Sequence, residues 1–199
     1  MPDWRNLYEF WFGDITIEAD YYKKNLRRWF YGDNLAFDRE CEQFAPLLEN
    51  FDIKKFSHWL NTPQGYVTLL ILIDQIPRTI HRGRKKAYRF DKLAVALCLA
   101  ALDKPVESSL NLAERIFLYM PLEHAEDLHL QTLSVQKFKE LFEQSPQEVK
   151  EFTHLGLLKA MEHNEVIEKY GRFPHRNSIL GRVNTASEGE YMRGFDKQF

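Results

Sequence analysis

Several polar residues sit where packing alone would favour apolar ones, and their types are those of acid–base and anion chemistry. Asp74 follows Val67, Leu70 and Ile71 on one face of an apolar stretch, which aims its carboxylate at the core side. An unpaired buried carboxylate is strongly unfavourable, so a partner is required. Arg78, one turn later, is the local candidate, with Pro77 interrupting the register between them. If the helix resumes after Pro121, His124 shares a stripe with Leu128, Gln131 and Val135. A neutral imidazole facing inward there can serve as acid, base or ligand. Glu123, Glu126 and Asp127 would then occupy the first turn, at the positive end of the helix dipole. His163 lies on a face with Gly156, Ala160, Ile167 and Tyr170, where a satisfied core histidine is the simpler reading.

The densest group is Arg172, His175, Arg176 and Asn177, followed by Arg182. Gly171 reads as a helix stop and Pro174 delays any restart, so these side chains fall on irregular backbone, where site residues concentrate. Guanidinium forks match carboxylates and phosphates, so the expected ligand is a small anion. In the concrete version Arg172, Arg176 and Arg182 hold the anionic group and His124 or His175 moves a proton, with Glu126 orienting the imidazole. Asp74, Arg78, Tyr119, His163 and Asn177 complete the expected pocket. Hydrolysis of a phosphate or carboxylate ester fits that equipment, and so does binding alone. The chain has no Gly-rich phosphate loop and no G-x-S-x-G elbow. A metal site from His124, His163 and His175 with Glu126 or Asp127 lacks any diagnostic spacing, and neither metal nor cofactor is expected. Two competing readings stand beside the anion pocket. In one, the same residues form a satisfied network tying loops to the core. In the other, a helical scaffold holds a partner protein in a groove lined by aromatics such as Trp29 and Trp59.

The elements that must position these residues are helical. Asp3 caps a short helix ending at Phe12–Gly13, and a second helical stretch starts near Asp33, carries Phe37, Cys41 and Phe44 at helical spacing and bends at Pro46. A short segment spans 54–60. Thr62-Pro63 then starts a nearly all-apolar helix that reaches Ile76 and must run through the centre of the molecule. Further helices are expected over 91–102, 108–119, 125–143 and 147–170, with a last one after Ser187, which has capping-box spacing to Glu190. No stretch alternates with the two-residue period of a half-buried strand. The expected fold is an all-α, single-domain arrangement of antiparallel helix pairs over 1–199.

Composition sets the outer limits. The chain has 199 residues, 44% hydrophobic and 28% charged, with a net charge of −2, which excludes disorder as the dominant state. Near-balanced charge argues against nucleic acid as a partner. Two basic clusters, 23–28 and 82–86, read as solvated helix faces, although Trp29, Phe30 and Tyr31 beside the first could in principle stack on bases. The longest apolar run, Leu93 to Leu102, is half of what a bilayer span requires, so no membrane association is expected. Two widely spaced cysteines and no secretory leader suit a reducing cytoplasm. Oligomeric state is not encoded legibly.

The strings DQIPR, FLYMPLEHAEDL and GRFPHRNSILGR, with the opening EFWFG, resemble a bacterial domain-of-unknown-function family, number 924. Family members read DQFPRN-YRG where this chain has DQIPRTIHRG, so Ile76, Thr79 and His81 depart from the pattern, as does Gly189 near the end. The resemblance runs from about Tyr8 onward. It implies a tetratricopeptide-like all-helical fold and supplies no reaction and no catalytic residues.

Overall fold

The computed structural model describes residues 2–16, 18–30 and 35–194, and among them every regular element is helical. Helix α1 (Arg5–Phe12) is preceded by Asp3, whose carboxylate accepts the Arg5 N–H, and ends where Gly13 returns its N–H to Glu9. Helix α2 (Ala19–Phe30) carries the first basic cluster, and its Trp29 is buried with the indole N–H on the Trp11 carbonyl. Arg28 lies over the Phe10 and Phe37 rings and donates to the Phe10 carbonyl. Trp29 and Arg28 are thus packed into the aromatic core, while Lys23, Lys24, Arg27 and Phe30 stay exposed. Tyr31 and the expected helix start near Asp33 lie outside the described residues; α3 runs over Leu35–Cys41 and α4, after a 3-10 turn, over Ala45–Leu48.

A 3-10 stretch over Ile53–Asn61 leads to the central rod. Trp59, expected on the surface, is fully buried, and its indole donates to the Pro2 carbonyl. The rod begins with α5 (Pro63–Leu70), where Thr62 accepts the Gly65 N–H, widens into a π-helical turn over Ile71–Gln75, and closes with α6 (Ile76–Ile80). Pro77 has no N–H to return to Ile73, and the widened turn absorbs that missing bond. Residues 67 and 69–73 are wholly buried, as the apolar run requires.

The second half is built from longer helices: α7 (Asp91–Leu102), α8 (Leu112–Glu123), α9 (Leu128–Gln144) and α10 (Lys150–Tyr170), then α11 (Asn177–Leu180) and α12 (Ala186–Arg193). Contacts of Tyr119 with Phe138, and of Phe142 with His154, set α8, α9 and α10 as consecutive antiparallel neighbours. Three boundaries differ from expectation. Helix α8 starts later because Asn111 and Glu114 form a capping box, and it runs through Pro121 to Glu123 instead of stopping at 119. Asp127, not Ala125, starts α9 by capping the Leu130 N–H. The last capping box is Thr185 with Glu188, which leaves Ser187 and Glu190 inside α12. One apolar cluster joins α1 to α10, and a smaller one gathers Val166, Ile167 and Phe173 near the chain end. No described helix is long and apolar enough to cross a membrane.

Candidate functional site

The site forms where the π-turn of the central rod meets the end of α8. A π-turn repositions side chains relative to the α register, and here it delivers Asp74 as a 2% exposed carboxylate. Both carboxylate oxygens lie 2.9 Å from His124 Nδ1. His124 is the C-cap of α8 and not part of the next helix, because Asp127 restarts the chain three residues later. The stripe with Leu128, Gln131 and Val135 is thus replaced by a helix-end position, and the acid that orients the imidazole is Asp74 rather than Glu126.

Arg78 reaches the same carboxylate at 3.3 Å, and its Nε lies 3.0 Å from His124 Nδ1. One nitrogen cannot both donate to Asp74 and accept from Arg78. Burial works against the Asp74 charge, but His124 and Arg78 outweigh it and hold the carboxyl at about 2. The ionised carboxylate makes the stronger claim, so Nδ1 carries the proton and Nε2 keeps the lone pair. Burial first, then the Arg78 charge, lowers the imidazole below its ordinary range despite Asp74. Nε2 makes no hydrogen bond with a described residue.

Two guanidinium groups flank this dyad. Arg176, 6% exposed, donates from Nη1 to the His124 carbonyl at 2.9 Å. Its plane lies between Phe173, 4.3 Å from ring centre to carbon, and Tyr88 at 4.9 Å; Arg78 also lies over Tyr88, at 5.4 Å. Asp91, in the first turn of α7, bridges them at 3.0 Å to Arg78 and 3.7 Å to Arg176. The Nε–H of Arg176 is buried without a hydrogen-bond partner among the described residues. Burial and then Arg78 bring the Arg176 pKa down to about 10. His175 shares this neighbourhood: burial, then Arg176, lower it to about 4, and its ring lies 5.5 Å from Phe173.

The remaining expected residues divide. Arg182 forks onto Glu126 at 2.6 and 2.8 Å, and Glu126 also accepts the Phe173 N–H at 2.8 Å. Arg172 forks onto Glu188 at 2.6 and 2.9 Å, and Asn177 donates to Asn184. These contacts pin the loop over 171–184 to α12 and to the turn before α9. His163 donates from Nδ1 to the Lys159 carbonyl and packs against Phe173, while Nδ1 sits 3.4 Å from Glu123. Tyr119 belongs elsewhere, with its hydroxyl on Glu107 beside Lys137. The sequence reading missed Tyr88 and Asp91 altogether and treated Glu123 as a capping acid. An acid opening a helix is too common to single out Asp91, and Tyr88 ends a short basic string with no periodicity. Among the described residues no three His, Cys, Asp or Glu side chains are grouped to hold a metal ion. Two open surface hollows, one by His58 and Thr62 and one by Asp38 and Arg82, are lined by none of these residues.

Comparisons with known proteins agree with the helical architecture. A protein of unknown function from Agrobacterium tumefaciens has a similar solved structure, with TM-score 0.78 and 28% identity over 96% of this chain and 97% of that one. No curated protein matches the sequence. Residues 7–195 match the bacterial family of unknown function DUF924, and the chain belongs to that family.

Proposed function

We propose that the protein binds a small anionic molecule beside His124, whose Nε2 acts as a proton acceptor on that ligand. The observation that carries this reading is the buried Asp74–His124 contact at 2.9 Å, with two guanidinium groups next to it. Such a carboxylate fixes the tautomer and steadies the imidazolium that forms on proton uptake. A neutral imidazole is ready to act as a base at pH 7. Arg78 and Arg176 supply positive charge, and Arg176 Nε–H is a buried donor with no acceptor among the described residues. Hydrolysis of a small ester by a water deprotonated at Nε2 is the reaction class that this equipment fits.

Titration calorimetry with inorganic phosphate, and in parallel with succinate, tests the reading. One of the two should bind, and Arg176→Met should weaken it by about tenfold or more, the worth of a charge-assisted hydrogen bond. The exposed Lys139→Met should leave binding unchanged. A second reading is favoured by the two-pronged ion pairs of Arg172 with Glu188 and of Arg182 with Glu126. It makes the cluster a brace for the C-terminal segment, and it is supported if neither anion binds and Arg176→Met lowers only stability.

A further inference from the structure

The second basic cluster lies on a turn and not on a helix face. It leaves the end of α6 at His81 and runs into a 3-10 stretch over Lys85–Tyr88, ahead of α7. The Arg84 N–H donates to the His81 carbonyl and the Ala87 N–H to that of Arg84, so the segment is ordered. Three of its residues touch the guanidinium groups of the candidate site. Arg78 donates to the Ala87 carbonyl at 3.3 Å, Tyr88 lies under both Arg78 and Arg176, and Asp91 pairs with both. Arg84, Lys85, Lys86, Arg89 and Lys92 are exposed, and none pairs with a carboxylate among the described residues. Each stands within three residues of Ala87, Tyr88 or Asp91, hence at most about 11 Å along the backbone from a site contact.

Inside the site charge is balanced, with Arg78 and Arg176 against Asp74 and Asp91. What remains there for a ligand is the Arg176 Nε–H and the His124 lone pair. The surplus positive charge lies on the rim, and its cations outnumber the charges of one phosphate or a dicarboxylate. We propose that the ligand of this site is an oligophosphate, with one phosphate beside His124 and Arg176 and the rest of the chain across the 84–92 rim. The proposal rests on the anion site and names its class of ligand. Linked phosphates repeat negative charge along an extended chain, which suits cations on neighbouring residues. A single-stranded nucleic acid would also use exposed rings for base stacking. Here Tyr88 is taken up by two guanidinium groups and Phe90 is buried.

Titration calorimetry of the full chain with inorganic tripolyphosphate, ATP and inorganic phosphate, at low salt and with no divalent metal added, tests the proposal. Tripolyphosphate should bind about tenfold more tightly than phosphate, or better, and added salt should weaken it more steeply. Lys85→Gln with Lys86→Gln should weaken tripolyphosphate about fivefold and leave phosphate unchanged. Lys23→Gln with Lys24→Gln, an equal loss of exposed charge on α2, should change neither. Both double variants alter exposed side chains only, so their urea midpoints should stay native. Arg176→Met should weaken both anions. ATP tighter than tripolyphosphate assigns the chain to a nucleotide, and ATP weaker assigns it to a free oligophosphate; the class holds in both cases. Phosphate as tight as tripolyphosphate, or a rim variant without effect, overturns the proposal and leaves the anion site in place. Tripolyphosphate binding that survives Arg176→Met also overturns it, since the rim then acts alone. No binding by any of the three removes the anion site together with its ligand.

Discussion

Asp74 serves two ends through one contact. Its carboxylate fixes the His124 tautomer, and it also balances Arg78 inside the protein. Removing one partner of a buried pair leaves the other uncompensated. Asp74→Ala should therefore lower the unfolding free energy by about 3 kcal/mol in urea denaturation. Lys139→Ala, which breaks an ion pair with side chains 65% and 60% exposed, should change it little. At this scale the sequence paired Asp74 with Arg78, a contact the structure has at 3.3 Å, and misjudged the acid that meets His124. Asp74 and His124 stood out because polar groups interrupt apolar periodicity, Arg78 as the local partner for Asp74, and Arg176 as part of the arginine-rich segment after Gly171. Glu126 was matched to the imidazole because it is two residues away in sequence, while the actual acid is 50 residues away. Tertiary pairing of that kind leaves no local spacing to read.

The elements decide where these side chains arrive. The π-turn at Ile71–Gln75 puts Asp74 at the end of α8, and the extension of α8 through Pro121 carries Glu123 and His124 to meet it. The central helix and its apolar face were legible from composition alone. Its widened turn was not, because Pro77 signals an interruption without saying whether the helix kinks, stops or widens. At the rod's start Gly65 is required by close approach: a Cβ there would lie 2.4 Å from the Trp59 carbonyl oxygen. Gly65→Ala should cost about 2 kcal/mol, seen as a lower urea midpoint with an unchanged slope. At the other end, the Glu126–Arg182 fork holds the loop over 171–184. Glu126→Gln should speed amide exchange across that loop and leave the exchange of α5 unchanged, as expected for local opening rather than global unfolding.

At the scale of the whole molecule, buried titratable groups make stability depend on pH in two opposing ways. His124, His163 and His175 are lowered from the ordinary histidine value of 6.5, chiefly by burial. Their contribution is present above pH 6.5 and is lost as pH falls toward their folded values. Glu123 is raised from 4.5 to about 8, so its contribution is full below pH 4.5 and is lost as pH rises through about 8. Stability should peak near pH 6.5 and then fall by about 1.4 kcal/mol per pH unit toward pH 8, the slope for one proton. Glu123→Gln should flatten the alkaline side in urea unfolding. The all-helical class was plain in the sequence at this scale, since helical caps and spacing recur from end to end. Convergence of the 74, 124 and 176 segments needed the fold. The claim beneath all of this is that His124 is neutral, with its proton on Nδ1 against Asp74. Nitrogen-15 NMR of labelled histidine at pH 7 tests it directly. The account predicts a neutral ring protonated at Nδ1, with an unprotonated Nε2 that shifts when Asp74 becomes Asn. An imidazolium, or a neutral ring protonated at Nε2, would contradict it.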